Sequence, residues 1–307
     1  MRYAVLFPGQ GGQHAGMLPW LESEPAAAPT VAAMERRLGD DWRSRLEVQD
    51  WLNSNLVAQP LVTGTSLAAW AALEPLLTAP PTITAGYSVG ELAAAACAGA
   101  FDAEGALRLA EERAAAMDRA VAGRVTGLLS VSGLAEVALA EACRLTGLEL
   151  AIRIAPDHAI LAGADAALLA AESKLAVRGA ACKRLTVPIA SHSSWMKPAA
   201  AAFAVTLETV PFGRLRCPVA LNASGGAALR GDALRAALSR QMDSTVQWSS
   251  CMDVVAEHAP ACVIEVGAGG ALSRMWSARH PEIPVRAIQD FRRPKGMADW
   301  VERVCGS

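Results

Sequence analysis

A chain of 307 residues is longer than one hydrophobic core usually serves, so a large domain carrying a smaller inserted or appended one is expected. Hydrophobic residues make up 52% and charged residues 19%, which excludes a disordered chain and fits a well-packed α/β protein. A net charge of −2 offers no basic surplus for nucleic acid, and no nucleic-acid partner is expected.

The chain starts on an apolar strand, residues 3–7, with no charged n-region or cleavage site ahead of it. No apolar run reads as long enough to span a bilayer, so a cytoplasmic location without membrane contact is expected. Pro8-Gly9-Gln10-Gly11-Gly12-Gln13 follows as a glycine-rich loop that exposes backbone N–H groups. Neither Gly-Lys-Ser/Thr nor G-x-G-x-x-G is present, which argues against nucleotide phosphates and leaves a plain turn as the alternative.

Helical patterning dominates residues 30–77, with a break at 50–55. A β-branched strand at 81–85 leads into Gly86-Tyr87-Ser88-Val89-Gly90-Glu91, and an alanine-rich helix follows over 92–100. A further helix is expected over 103–120. From about residue 126 the units shorten: strand 127–132, helix 134–145, strand 148–154, strand 158–161, helix 165–178 and strand 181–187. That βαββαβ order suits a small ferredoxin-like α+β domain inserted at 126–187. Residues 1–125 and 188–307 then form a large α/β-hydrolase-like domain with a parallel sheet, to which strands 219–221 and 261–266 and a helix at 233–242 belong.

Strand, tight turn and helix place Ser88 at the apex of a G-x-S-x-G elbow, near the positive end of the following helix. There a nucleophile and a developing oxyanion both gain, although the same motif arises by chance in alanine- and glycine-rich chains as a turn with no chemistry. The seven cysteines are scattered, with no C-x-x-C pair and no histidine at metal-ligand spacing. They read as reduced thiols, and no metal site is expected.

Together these segments resemble the malonyl-CoA:acyl-carrier-protein transacylase family, whose acyltransferase domains also occur in fatty acid and polyketide synthases. The matching stretches cover nearly the whole chain. They are residues 7–13 with Gly16-Met17, Ala58-Gln59-Pro60, Gly86 to Glu91, Arg113 with Met117, Ser191-His192 with Met196-Lys197-Pro198, Arg240-Gln241 with Val246-Gln247-Trp248, and Glu265-Val266-Gly267.

The resemblance implies roles. Serine needs a base, and His192 stands at the family's catalytic histidine position, where the residues alone would more often mean a packed histidine. Gln241 matches the residue whose main-chain carbonyl orients that imidazole, with a helix-end polar residue as the plain alternative. The backbone N–H groups of Gln10 and Val89 match the oxyanion hole. Arg113 matches the arginine that holds the free malonyl carboxylate, although its spacing alone suits a solvated helix residue. Gln59, Tyr87 and Met117 are the further residues expected around the substrate.

Two departures fall near the expected acyl pocket: Tyr87 where the family usually has histidine, and Ile152 and Ile154 where it commonly has asparagines. Ile189-Ala190-Ser191-His192 resembles the signature by which polyketide acyltransferases choose extender units, so a branched malonyl unit stays open. The elbow together with Asp290-Phe291-Arg292 most resembles the epsilon subunit of malonate decarboxylase.

The implied activity is transfer of malonyl from malonyl-CoA to the thiol of an acyl carrier protein through a malonyl-serine ester, without metal or redox cofactor. An acyltransferase of discrete polyketide or fatty-acid synthesis with a different extender unit is one alternative. A serine esterase or thioesterase is another; it would need a carboxylate as third member and leaves Arg113 and the Gln10 loop unexplained. A non-catalytic docking domain is disfavoured by the intact Ser88, His192 and Arg113. Arg279, Arg286, Arg292, Arg293 and Lys295 form a basic C-terminal cluster that reads as a solvated face, or else as a surface for an acidic carrier protein.

Overall fold

The computed structural model describes residues 1–306. Alternation along its first strand, β1 (Tyr3–Phe7), decides the layering. Tyr3, Val5 and Phe7 pack into one apolar cluster, and Ala4 and Leu6 into another on the opposite face. A strand buried on both faces belongs inside a parallel sheet covered by helices.

The chain continues through α1 (Ala28–Leu38), α2 (Trp42–Arg45), α3 (Gln49–Asn53), α4 (Asn55–Leu73), β2 (Ile83–Gly86), α5 (Gly90–Cys97) and α6 (Ala103–Ala120). The small unit holds β3 (Thr126–Ser132), α7 (Glu136–Thr146), β4 (Glu149–Ala155), β5 (His158–Ala164), α8 (Asp165–Val177) and β6 (Ala181–Arg184). After it come α9 (Lys197–Glu208), β7 (Val219–Ala220), β8 (Ala227–Ala228), α10 (Gly231–Arg240), α11 (Trp248–Glu257), β9 (Cys262–Glu265), α12 (Ala271–Arg279), β10 (Val285–Ala287) and α13 (Pro294–Gly306).

The large sheet has the order β10-β9-β1-β2-β7-β8, parallel from β10 to β7, with β8 returning antiparallel on β7. The second sheet is antiparallel in the order β4-β5-β3-β6, the ferredoxin-like arrangement expected from the βαββαβ pattern. One of its faces packs under α7 and α8 through Leu129, Val131, Leu139, Leu161, Leu168 and Leu175.

Its other face supplies Leu128, Ile152, Ile154 and Ile160 to the same cluster as Ala4, Leu6 and Ile83 of the large sheet. A shared core therefore joins the two units, and the edge of β4 is closed by backbone bonds: Val246 N–H donates to Ala151 (2.8 Å) and Arg153 N–H to Val246 (2.9 Å). Ile152 and Ile154 pack between the two sheets, buried beside Val246, Trp248 and Met252.

Several expectations shift. The break expected at 50–55 is itself helical over α3, and only Ser54 separates it from α4. α4 with its following turn, Asn55–Leu76, is long and apolar enough to cross a bilayer, contrary to the reading of the sequence. It is a core helix instead: 83% of its most apolar window is buried inside the protein. β6 ends at Arg184, after which the chain crosses back towards the large sheet. α6 begins where expected because Asp102 caps it, its carboxylate accepting from Gly105 N–H at 2.7 Å.

Candidate active site

The end of β2 and the start of α5 are joined by a turn that leaves Ser88 at φ 54°, a left-handed conformation uncommon for a side chain larger than glycine. The two flanking glycines make that turn possible. A Cβ on Gly86 would lie 2.0 Å from the Gly90 carbonyl oxygen, and one on Gly90 would lie 2.3 Å from the Phe7 oxygen. Elbow and glycine-rich loop thus close directly on one another, and Tyr87 N–H donates to the Phe7 carbonyl at 2.9 Å.

His192 meets Ser88 from the crossover segment that returns from the small unit. Its Nε2 lies 2.8 Å from Ser88 Oγ, and its Nδ1 lies 2.7 Å from the Gln241 main-chain oxygen. A carbonyl can only accept, so Nδ1 carries the proton and Nε2 presents its lone pair to the Ser88 hydroxyl. Gln241 caps the C-terminus of α10, where helix carbonyls lack intrahelical partners and the dipole is negative. His192 is also held at φ 60°, anchored by its N–H to the Met242 oxygen at 3.0 Å. Burial pushes its pKa down from 6.5 to about 3, the Arg113 charge adds to the fall, and the Gln241 carbonyl opposes it. The imidazole is neutral at physiological pH.

Arg113, on α6, is 2% exposed and not a solvated helix residue. Its Nη1 donates to Gln59 Oε1 (2.6 Å) and Met117 Sδ (3.2 Å), and its Nη2 to Gln241 Oε1 (2.8 Å). All these acceptors are neutral. Among the described residues the Nε–H and one Nη2–H have no acceptor, so two donors remain for an anionic guest. Burial lowers the Arg113 pKa from its ordinary value to about 10, with Glu91 opposing, so the cation persists at neutral pH.

Gln59, Met117, Gln241, His192 and Ser88 therefore meet around Arg113. The Gln10 side chain reaches the group through Asn55, its Nε2 donating to Asn55 Oδ1 at 3.3 Å, while Gln59 Nε2 donates to the same oxygen at 2.6 Å. Among the described residues neither the Gln10 nor the Val89 backbone N–H has an acceptor. Tyr87, next to Ser88 in the elbow, is half-buried and edge-on to Trp248 with centroids 5.1 Å apart.

Two residues escaped the reading of the sequence. Asn222, just past β7, accepts from Ser88 N–H (2.9 Å) and donates to the Gly86 oxygen (2.7 Å), holding the elbow from the side. Glu91, fully buried, accepts from Asn222 N–H (3.0 Å) and Gln241 Nε2 (2.6 Å). Glu91 stood inside the quoted elbow motif, whereas nothing local marked Asn222.

The basic C-terminal cluster is largely neutralised: Arg279 pairs with Asp253, Arg286 with Asp290 and Lys295 with Asp299. Among the described residues no group of three or more His, Cys, Asp and Glu side chains could hold a metal ion.

Residues 5–278 match the model of the acyl transferase domain family. The malonyl CoA-acyl carrier protein transacylase of Escherichia coli K12 is 32% identical over 98% of this chain and 99% of its own length. That of Mycobacterium tuberculosis H37Rv is 33% identical over 93% and 96%. Among solved structures, the acyl-carrier-protein S-malonyltransferase of Burkholderia pseudomallei superposes with a TM-score of 0.90 at 28% identity, covering 97% of this chain and all of that one. A malonyl-transacylase solved in complex with a type II PKS acyl-carrier protein gives 0.89 at 28% identity over the full length of both chains.

Proposed function

This chain belongs to the acyl transferase domain family, and from that premise we propose that it moves a malonyl group from malonyl-CoA to the phosphopantetheine-type thiol of an acyl carrier protein through an ester on Ser88. Neutral His192 takes the Ser88 proton at Nε2 as Oγ attacks the thioester carbonyl. The N–H groups of Gln10 and Val89 receive the oxyanion, and its collapse expels the CoA thiolate, which takes the proton back from His192. The carrier thiol then gives its proton to His192, attacks the malonyl ester, and returns the serine hydroxyl. The Gln241 carbonyl, at the negative end of α10, stabilises the imidazolium in each half. The route needs malonyl-CoA as substrate and no metal or redox group.

Arg113 carries the choice of acyl group. A buried cation whose hydrogen-bond acceptors are all neutral favours an anionic guest, and a malonyl carboxylate fits its two remaining donors. The same pairing offsets the Arg113 charge that depresses His192, so the base strengthens as the substrate arrives. We take Gln59 and Met117 as supports of Arg113, Tyr87 as a wall of the acyl site, and residues 126–187 as the inserted domain.

The esterase reading is disfavoured because a neutral main-chain carbonyl stands where a hydrolase triad has a carboxylate. The relatives named above are all transacylases or malonyltransferases, so the malonate decarboxylase placement gains no support from them.

The test is competition for the acyl group. After mixing with malonyl-, methylmalonyl- and acetyl-CoA in equal amounts, intact mass should record mainly malonyl-enzyme, discharged faster by phosphopantetheinylated carrier protein than by water. Discharge to water alone would make the protein a hydrolase.

A further inference from the structure

The reaction as derived uses Ser88, His192, Arg113 and backbone donors, and leaves a buried carboxylate unemployed at their centre. Glu91 is three residues beyond the nucleophile on α5 and has no solvent exposure. Its Oε1 accepts from Asn222 N–H, and its Oε2 accepts from Gln241 Nε2. Asn222 grips both sides of the elbow through Ser88 N–H and the Gly86 oxygen. Gln241 gives its second amide hydrogen to the Ser88 carbonyl (2.7 Å) and turns its Oε1 towards Arg113.

A carboxylate only accepts, whereas an amide side chain can bind either way round. With Glu91 ionised, both Gln241 amide hydrogens have acceptors, and Oε1 must face the guanidinium. With a donor at position 91 the amide can reverse, which sets NH₂ against the Arg113 N–H groups and strips the Ser88 carbonyl of a partner.

We propose that Glu91 is a positioning residue for acyl transfer: its carboxylate fixes the direction of the Gln241 side chain and the seat of Asn222, and so aligns Arg113 and the Ser88 elbow together. The assignment rests on the malonyl-transfer reading for its purpose, but its test does not. A fluorophosphonate labels the activated serine without any malonyl chemistry, so its rate reads the elbow directly.

Labelling rates are compared for the full-length wild type, Glu91→Gln, Gln241→Ala and the double variant. Glu91→Gln should label on the order of tenfold more slowly, and the double variant no more slowly than the worse single, because both changes break one unit. Labelling of Glu91→Gln within twofold of wild type, or losses that multiply in the double variant, would overturn the assignment.

A second readout needs no variant. Arg113 on α6 and Cys251 on α11 are the other ionisable groups acting on Glu91, and both keep their charge state between pH 6 and 8, as does neutral His192. Burial pushes Glu91 up to about 7, so wild-type labelling should rise across that interval as it ionises. A flat profile would contradict the role. Failure of malonyl-CoA to load an enzyme that labels normally would count against the function and not against Glu91.

Discussion

Gly86 and Gly90 approach so closely across the elbow that a methyl group on Gly86 would lie 2.0 Å from the Gly90 oxygen and 2.3 Å from the Glu91 nitrogen. Backbone on both sides leaves nothing flexible to yield. Gly86→Ala should therefore cost about 3 kcal/mol or more in urea unfolding, at the top of the overpacking range. Gly123→Ala, where a left-handed backbone (φ 74°) is the obstacle and the added Cβ meets nothing within 4 Å, should cost only about 1 kcal/mol. A loss at Gly86→Ala no larger than that at Gly123→Ala would mean that the contact with the Gly90 peptide does not reserve position 86 for glycine.

The elbow was legible because strand, turn and helix are local, and the ferredoxin-like unit because its short elements alternate cleanly. The helix over 103–120 was likewise legible from its local pattern, and Asp102 caps it in the structure. What stayed hidden is long-range. Arg113 read alone as a solvated helix position because nothing within α6 reveals that Gln59 and Gln241, 54 and 128 residues away, close over it. Asn222 reaches Ser88 across 134 residues, and no spacing encodes that. α4 misled for a related reason: its apolar character belongs to a helix wrapped by protein on nearly every side.

His192→Ala should slow malonyl-enzyme formation on the order of a hundredfold or more, since Ser88 then lacks the acceptor 2.8 Å from its hydroxyl. Single-turnover rates from malonyl-CoA measure this. A variant that acylates at nearly the normal rate would remove the imidazole from the chemistry.

Arg113→Ala should lower kcat/KM for malonyl-CoA on the order of thirtyfold or more, because the substrate carboxylate is then buried unpaired. For acetyl-CoA the value should hold or rise, having no charge to strand. Arg113→Lys keeps the charge but not the planar fork and should rescue malonyl transfer only in part. A parallel fall for both substrates would assign Arg113 to the fold.

The site also links stability to pH in two opposing senses. His192 has its pKa lowered from 6.5 to about 3, so its contribution is present above pH 6.5 and is lost as the pH falls towards 3. Glu91 has its pKa raised from 4.5 to about 7, so its contribution is present below pH 4.5 and is lost as the pH rises to 7. Relative to its value at pH 8, wild-type stability at pH 4 should fall more than that of His192→Gln, by an amount on the order of 3 kcal/mol. Parallel stability curves would show that the histidine titrates freely in the folded protein.

Peptide mapping of the acyl-enzyme reaches the central claim most directly. Wild-type protein mixed with malonyl-CoA, quenched in acid and digested, should carry one malonyl group on the peptide that contains Ser88, and a brief chase with phosphopantetheinylated carrier protein should remove it. Ser88→Ala should carry none. Malonyl found on another residue, or retained in Ser88→Ala, would contradict the account.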